Sequence, residues 1–355
     1  MDLPPETDLF LALTPEKVWA AVERAGLRCN PVCYPLNSFE NRVYEIELED
    51  RTRMVAKFYR PGRWSEEQIL EEHQFLHDLE DEELPVCGMR PFPGGGTLRR
   101  IDNIFYCLAE RRGGRAPDEL DDAAVRRLGM LAGRLHNVGA RRPASHRVRL
   151  GGDTYVREDV AWLDAHDTLP RHLRKRYLDA ALAIADAADR GLAGVATHRI
   201  HGDLHLGNIL FRDGLLRILD FDDMVIGPAV QDLWLALPGR DPEAIAQRAI
   251  FVEGYEQFRA FDRATLALVE PLRGLRIVHY AAWLARRWHD PAFPAAWPHF
   301  GTPDYWERET DDLEEQLAFI HRAGPGAGSP GEAPGEPQEE EPTLTNRDFF
   351  WDWDG

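Results

Sequence analysis

Apolar positions recur at two periods along this chain, and the switches between them outline its elements. Val18, Trp19 and Val22, with Leu27 beyond, share one side of a helix that Thr14 caps and Pro15 opens. Lys17 stands where a capping box would place Glu. Val43, Tyr44, Ile46 and Leu48 form an apolar-rich run, Asp50-Arg51-Thr52 a turn, and Met54 to Tyr59 a second run, which together predict a hairpin. A charged helix is predicted from Ser65 to Asp81, with Ser65 and Gln68 as its capping box and Ile69, Leu70, Phe75, Leu76 and Leu79 at helical spacing. Ile101 to Glu110 reads as one buried strand. Helical spacing returns at Val125, Leu128, Leu131, Leu135 and Val138, and again from about Leu173 to Arg190. Ile209 to Phe211 and Leu215 to Leu219 are short β runs, and the loop Arg212-Asp213-Gly214 between them suits a bulged hairpin. Helices follow from about Pro242 to Trp288 and from Asp304 to His321.

The pattern is α+β, with strands concentrated early and helices late. Two glycines and a proline interrupt it between Arg111 and Pro117, which sets a boundary there. A β-rich N-lobe is expected over residues 1–110 and a mainly helical C-lobe over 111–323. Gly324 to Pro342 is rich in Gly, Pro and Glu, too polar to bury a core, so 324–355 is expected to be a disordered acidic tail. Its aromatic end, Phe349-Phe350-Trp351-Asp352-Trp353, is read as a solvated terminus or as a docking element.

Composition narrows the partners. A chain of 355 residues suggests about two domains or lobes, and 44% hydrophobic with 29% charged residues is the balance of a soluble globule. A net charge of -19 argues against nucleic acid and against anionic membrane surfaces. No apolar run approaches the roughly 20 residues of a membrane span. The start, MDLPPETDLF, lacks a basic region followed by an apolar run, so no signal peptide is expected. Cys29 and Cys33 lie close in sequence, but Cys87 and Cys107 form no second close pair to complete a zinc site. Reduced, structural thiols, a cytoplasmic setting and a monomer are the expectations.

The chemistry concentrates in His201-Gly202-Asp203-Leu204-His205-Leu206-Gly207-Asn208. Phosphoryl transfer from ATP needs a carboxylate to take the acceptor's proton and oxygen ligands to hold magnesium on the phosphates. Asp203 and, five residues on, Asn208 supply both with the spacing of a kinase catalytic loop. Asp220, after the second short β run, returns a carboxylate to the same metal. The rival is a metal hydrolase built on His201, Asp203 and His205, but the further His and Asp clusters of a two-metal site are missing. His201 is expected to pack and hold the loop, and His205 to bond backbone.

ATP also needs a cation. Lys57, in Val55-Ala56-Lys57-Phe58, suits that role if a carboxylate of the next helix orients it. Glu71 and Glu72 compete for the part, and Glu72 is favoured because Phe75 and Leu76 follow it. No Gly-x-Gly-x-x-Gly loop precedes Lys57. The matching place, Leu36 to Tyr44, offers Ser38, Asn41 and backbone N–H groups to phosphate, or is a plain polar turn. Gly94-Gly95-Gly96 reads as a flexible turn.

The run from His201 to Asn208, with Leu219-Asp220-Phe221-Asp222-Asp223, resembles the aminoglycoside phosphotransferase and choline kinase superfamily. Leu36 to Tyr44, Lys57-Phe58-Tyr59-Arg60-Pro61 and Gln68-Ile69-Leu70-Glu71-Glu72-His73 resemble, more narrowly, the bacterial stress response kinase A family, over about residues 10–322. The resemblance implies a two-lobed protein-kinase-like fold and ATP-dependent phosphorylation of protein Ser or Thr, including autophosphorylation. It implies Asp203 as proton acceptor, Asn208 and Asp220 as magnesium ligands, Ser38 at the ATP site and Asp232 as a brace of the catalytic loop.

The acceptor is open. Tyr280, Trp283, Trp288, Trp297, Tyr305 and Trp306 would either hold a cationic amine by cation–π contact or form core. No activation segment ending in Ala-Pro-Glu is present, so a small-molecule kinase acting on an amino alcohol or aminoglycoside stands as the alternative. A nucleotide-binding scaffold that docks partners through its tail is the alternative of another class.

Overall fold

The computed structural model describes residues 10–322. The expectations for the tail, residues 324–355, lie outside the described residues. In chain order the elements are helix α1 (Pro15–Arg24), strands β1 (Cys29–Leu36), β2 (Arg42–Leu48) and β3 (Arg53–Phe58), α2 (Glu66–Asp81), β4 (Arg99–Ile101), β5 (Ile104–Glu110), α3 (Asp122–Gly139), α4 (Glu158–Ala165), α5 (Arg174–Leu192) and β6 (His198–Ile200). Then follow β7 (Ile209–Arg212), β8 (Leu215–Ile218), β9 (Val225–Gly227), α6 (Val230–Ala236), α7 (Pro242–Tyr255), α8 (Val269–Arg287), α9 (Ala292–Ala296) and α10 (Pro303–Arg322).

They form two compact units. Among the described residues, the first combines 10–147 with His198–Phe261, and the second combines Val148–Thr197 with 262–322. The first unit is built on an antiparallel sheet of order β1-β2-β3-β5-β4. Strand alternation decides what each face carries. Ala56 and Phe58 of β3, with Tyr106 and Leu108 of β5, join Val18, Ala21 and Val22 of α1 in one apolar cluster. Their neighbours Lys57 and Cys107 pair across the strands and point the other way, where Tyr59, Ile69 of α2 and Cys107 cluster. The period-2 pattern of β3 thus turns a lysine toward α2.

α2 starts with the predicted capping box. The Gln68 N–H donates to Ser65 Oγ at 3.3 Å, and the Ser65 N–H to Gln68 Oε1 at 2.9 Å. Its buried side is Ile69, Glu72, His73, Phe75, Leu76 and Leu79. Leu70, expected on that side, is instead 42% exposed, while the polar Glu72 and His73 are buried. Further along the unit, α3 and α7 cross at backbone contact. A Cβ on Gly129 would collide with the Phe251 carbonyl, and one on Gly254 with that of Arg126.

Two turns differ from the sequence expectation. The strand read from Ile101 is two strands, because Asp102 and Asn103 both take positive φ (45° and 67°) and close a β4–β5 hairpin. Arg212 pairs with Leu215, so β7 and β8 are joined by two residues, not three. Asp213 and Gly214 both adopt positive φ, the Asp-Gly form that matches strand twist without a bulge.

The second unit is helical, with α5, α8 and α10 packed on one another. A Cβ on Gly274 of α8 would come within 2.6 Å of Ile184 on α5. Its aromatics stack among themselves. Trp297, Tyr305 and Trp306 are buried, and Trp283 lies 5.7 Å from Trp297, ring to ring. Among the described residues, no helix is long and apolar enough to cross a membrane. Cys29, Cys33, Cys87 and Cys107 are free thiols, and burial pushes Cys29 and Cys33 up to about 11.

Candidate active site

The loop between β6 and β7 carries Asp203, and its backbone is tied down by one buried carboxylate. Asp232, on α6, is fully buried and accepts the N–H of His201 (2.9 Å) and of Gly202 (2.8 Å). His136 of α3 binds the same carboxylate through Nε2 at 2.9 Å, and its Nδ1 meets the Tyr255 hydroxyl at 2.9 Å. Gly202 has φ +86°, and a Cβ there would strike the Asp223 carbonyl, so the loop needs glycine at this point. The brace expected of Asp232 is therefore a set of hydrogen bonds from the loop's own backbone.

His201 is a packing residue with both nitrogens in use. Its Nε2 lies 2.7 Å from the Leu219 carbonyl and therefore carries the proton, while Nδ1 accepts the Asp203 N–H at 3.2 Å. It has no nitrogen to give a metal, which removes the hydrolase arrangement. His205 Nδ1 accepts the Gly207 N–H at 3.0 Å, and its Nε2 stands 3.5 Å from Asp203 Oδ2.

Asn208 Nδ2 donates to the Asp203 carbonyl (2.9 Å) and reaches Oδ2 of the same residue at 3.4 Å. The Asn208 carbonyl accepts the Leu219 N–H at 2.8 Å, which brings the end of β8 beside the loop. Asp220 follows at once with positive φ (51°), a conformation that costs a non-glycine residue strain and turns its half-exposed carboxylate back toward β3. There Asp220 Oδ1 meets Lys57 Nζ at 3.1 Å. Lys57 also contacts Asp222 Oδ1 at 3.0 Å and Glu72 Oε1 at 3.4 Å. Burial alone would lower the Lys57 pKa, but Asp220, Asp222 and Glu72 overcome it and hold the ammonium well above its ordinary value.

Glu72 is fully buried, and burial raises its pKa against the pull of Lys57 and Arg147. Tyr59 OH lies 3.3 Å from each of its oxygens, and Arg147 Nη2 3.4 Å from Oε2. Glu71 has a different task, accepting the N–H groups of Ser145, His146 and Arg147. Asp203 and Asn208, joined through Leu219 to Asp220 and from there by contact to Lys57 and Glu72, thus gather within the first unit. Ser38 stands outside that group. Its hydroxyl accepts the Asn41 N–H at 3.3 Å in the turn between β1 and β2, just ahead of the pairing of Val43 with Lys57.

Four further residues complete the surroundings. Arg63 ion-pairs with both Asp222 and Asp223, and Trp64 Nε1 reaches Asp222 Oδ2 at 3.4 Å. Arg147 Nη2 donates to the Asp222 carbonyl at 2.9 Å and stacks its guanidinium 4.5 Å from the Trp64 ring. Burial would raise the Asp222 pKa, but Lys57, Arg63 and Arg147 together hold that carboxylate well below the usual range. His73 touches Tyr59 OH at 3.0 Å and Thr97 Oγ1 at 2.7 Å, and burial, with Lys57 and Arg147 nearby, pushes it down to about 3. Arg63 and Trp64 lay next to the quoted Lys57 to Pro61 motif and were legible by adjacency; Arg147 and His136 had no local signal.

The donor set is hard: an Asn amide and an Asp carboxylate, the oxygens Mg2+ takes alongside substrate phosphates. Because Asn208 Nδ2 is committed to Asp203, its Oδ1 is the atom it can offer a metal. Among the described residues no group of three or more His, Cys, Asp or Glu is placed to hold a metal ion.

Comparisons with known proteins agree on the class. The profile of the phosphotransferase enzyme family matches residues 33–269. The chain is 41% identical over 313 residues to a stress response kinase A from Salmonella paratyphi A, covering 88% of this chain and 95% of that protein. It is 40% identical over 319 residues to one from Escherichia coli, covering 88% and 94%. A relative from Salmonella typhimurium, 40% identical over 313 residues (88% and 95% covered), is named serine/threonine protein kinase RdoA. Among solved structures, an amicoumacin kinase in complex with AMP-PNP and Ca2+ superposes with TM-score 0.67 at 20% identity, covering 87% of this chain and 96% of that one. A microcompartment-associated aminopropanol kinase gives 0.61 at 20% identity, covering 85% and 96%. At such identity these two show a shared fold, and that fold is the α+β, protein-kinase-like one expected from the sequence.

Proposed function

Because the chain belongs to the stress response kinase A family, within the phosphotransferase enzyme family, we propose that it transfers the γ-phosphoryl group of ATP to Ser or Thr hydroxyls of proteins, itself included. The observation that supports this reading is the linkage of Asp203 to Asn208, of the Asn208 carbonyl to Leu219 beside Asp220, and of Asp220 through Lys57 to Glu72.

Asp203 accepts the proton of the attacking hydroxyl and aligns its oxygen with the γ-phosphorus. As that oxygen bonds to phosphorus, the bond from phosphorus to the bridging oxygen breaks, and ADP leaves with the electron pair. Asn208 fixes the Asp203 backbone and, with Asp220, would hold Mg2+, which when bound neutralises charge on the phosphates. Lys57, kept cationic by the carboxylates around it and oriented by Glu72, faces the α- and β-phosphates. Ser38 and the backbone N–H groups of its turn cover the phosphates in place of a glycine-rich loop. A cytoplasmic monomer acting on protein substrates, without nucleic acid or membrane partners, is part of this proposal.

A second reading has its own support. The superposed amicoumacin and aminopropanol kinases are named for small acceptors, and the second unit holds an aromatic cluster that includes half-buried Tyr280 and Trp283, stacked 5.4 Å apart. Incubation with Mg-ATP carrying a γ-label decides between them. The protein-kinase reading expects label on Ser or Thr of this chain and of casein, reduced about 10²–10⁴-fold in Asp203→Asn. Label on amino alcohols or aminoglycosides alone overturns the protein acceptor and leaves the mechanism intact.

A further inference from the structure

The segment Arg60-Pro61-Gly62-Arg63-Trp64, between β3 and α2, bonds in two directions. Toward the β1–β2 turn, Arg60 donates from Nε to the Glu40 carbonyl and from Nη2 to the Phe39 carbonyl, both at 3.0 Å. The Arg60 N–H donates to Asn41 Oδ1 at 3.2 Å, and Asn41 is itself the residue whose N–H reaches Ser38. Toward the turn after β8, Arg63 ion-pairs with Asp222 through Nη1 and with Asp223 through Nη2. The same guanidinium reaches back, with Nε 3.7 Å from Glu40 Oε1. Trp64 locks the geometry, since its ring carries the Arg63 guanidinium at 4.9 Å and the Arg147 guanidinium at 4.5 Å.

The side chains of Arg63 and Asp222 are 13% and 3% exposed, so that pair is little weakened by water, whereas Asp223 is 38% exposed and its pair is partly screened. A planar guanidinium bonds two carboxylates, Asp222 and Asp223, from two nitrogens and keeps its third nitrogen at ion-pair distance from Glu40, whose Oε1 also lies 3.2 Å from Arg60 Nε; an ammonium cannot reproduce that fork. The guanidinium spans the turn that carries Ser38 and the turn that opens with Asp220.

We propose that Arg63 is a positioning residue that couples the two turns, so that nucleotide binding and metal binding strengthen each other through it. The proposal rests on the reading of Ser38 and Asp220 as nucleotide and metal residues. It assigns Arg63 no contact with substrate. Its consequence is thermodynamic: the factor by which Mg2+ tightens nucleotide binding equals the factor by which nucleotide tightens Mg2+ binding, and both fall when the link is cut.

The test measures AMP-PNP affinity by calorimetry with Mg2+ and with EDTA, in the full chain and in Arg63→Met, Arg63→Lys, Glu40→Gln and the Arg63→Met/Glu40→Gln double variant. In the wild type Mg2+ tightens binding. In Arg63→Met that factor drops by about 5-fold or more, while affinity in EDTA changes far less. Arg63→Lys falls between the two, and Glu40→Gln lowers the factor alone but adds nothing in the Arg63→Met background. An unchanged factor in every variant, or equal loss of affinity with and without Mg2+, overturns the coupling. If Arg63→Met does not fold, Arg63→Lys and Glu40→Gln decide by the same criterion. A wild type that binds no nucleotide at all defeats the underlying reading of the site, a result distinct from nucleotide binding without coupling.

Discussion

The loop around Asp203 and the turn around Asp220 stand beside each other and are held by opposite means. The loop hangs from backbone hydrogen bonds: Asp232 takes the N–H groups of His201 and Gly202, and His201 links Leu219 to Asp203. The turn sits in a lattice of charge, with Lys57 against Asp220 and Asp222, and Arg63 against Asp222 and Asp223. The loop's hydrogen bonds hold Asp203, the base of the proposed function, in one place. On the proposed function, phosphates and a cation arriving at the charge-paired turn would change its balance. On this comparison the loop is the fixed part of the site and the turn the responsive part.

The largest effect should come from cutting the loop's anchor. Asp232→Ala leaves two buried N–H groups and one His136 nitrogen without their acceptor, which costs about 3–5 kcal/mol. Denaturant melts should show it, and Asp232→Asn, which keeps one acceptor oxygen, should lose clearly less. If both variants melt like the wild type, the loop is held by something other than this carboxylate. Next in size is the turn's central cation. Lys57→Met removes the charge that balances Asp220, Asp222 and Glu72, and should lower phosphotransfer kcat/KM by about 10²–10³-fold. The charge-paired character of the turn adds a condition: raising ionic strength should impair the partly open Asp220 side more than the loop.

A further effect separates the two by pH. His73 lies beneath the charged part of the site with its pKa pushed down to about 3 from the usual 6.5. The native state therefore keeps His73 neutral while the unfolded chain protonates it. Above pH 6.5 the two states match, and below it stability falls with slope of about 1.4 kcal/mol per pH unit until about pH 3, where the native state also binds the proton. His73→Gln should remove that share of the acid limb in melts at stepped pH. An unchanged limb would mean that other groups govern acid unfolding.

Periodicity and motif spacing carried most of the first unit. Alternation in β3 sent Lys57 to the α2 side, the Ser65/Gln68 pair marked where α2 begins, and the five-residue step from Asp203 to Asn208 was a local signal. What escaped was long-range. Arg147 meets Glu72 and Asp222 from 75 residues away, and His136 meets Asp232 from 96, distances over which no local pattern operates. The hairpin at Asp213-Gly214 was missed by one residue, because a two-residue turn with both φ positive and a three-residue bulge share the same terminal glycine.

The smallest prediction tests where the charged region ends. Helical spacing groups Leu70 with Ile69, yet Leu70 is 42% exposed, whereas Glu72, two residues on, is fully buried. Apolar type argues for Leu70 inside and Glu72 outside, and the fold reverses both because Lys57, Tyr59 and Arg147 satisfy the carboxylate. Leu70→Gln should therefore shift stability by no more than about 0.5 kcal/mol and leave phosphotransfer unchanged. Glu72→Gln keeps the shape but removes the charge facing Lys57 and turns one acceptor oxygen into a donor, and should lower transfer with little change in the helix itself. Should Leu70→Gln prove the more damaging of the two, the helix presents a different side from the one described, and the pairing of Glu72 with Lys57 falls with it.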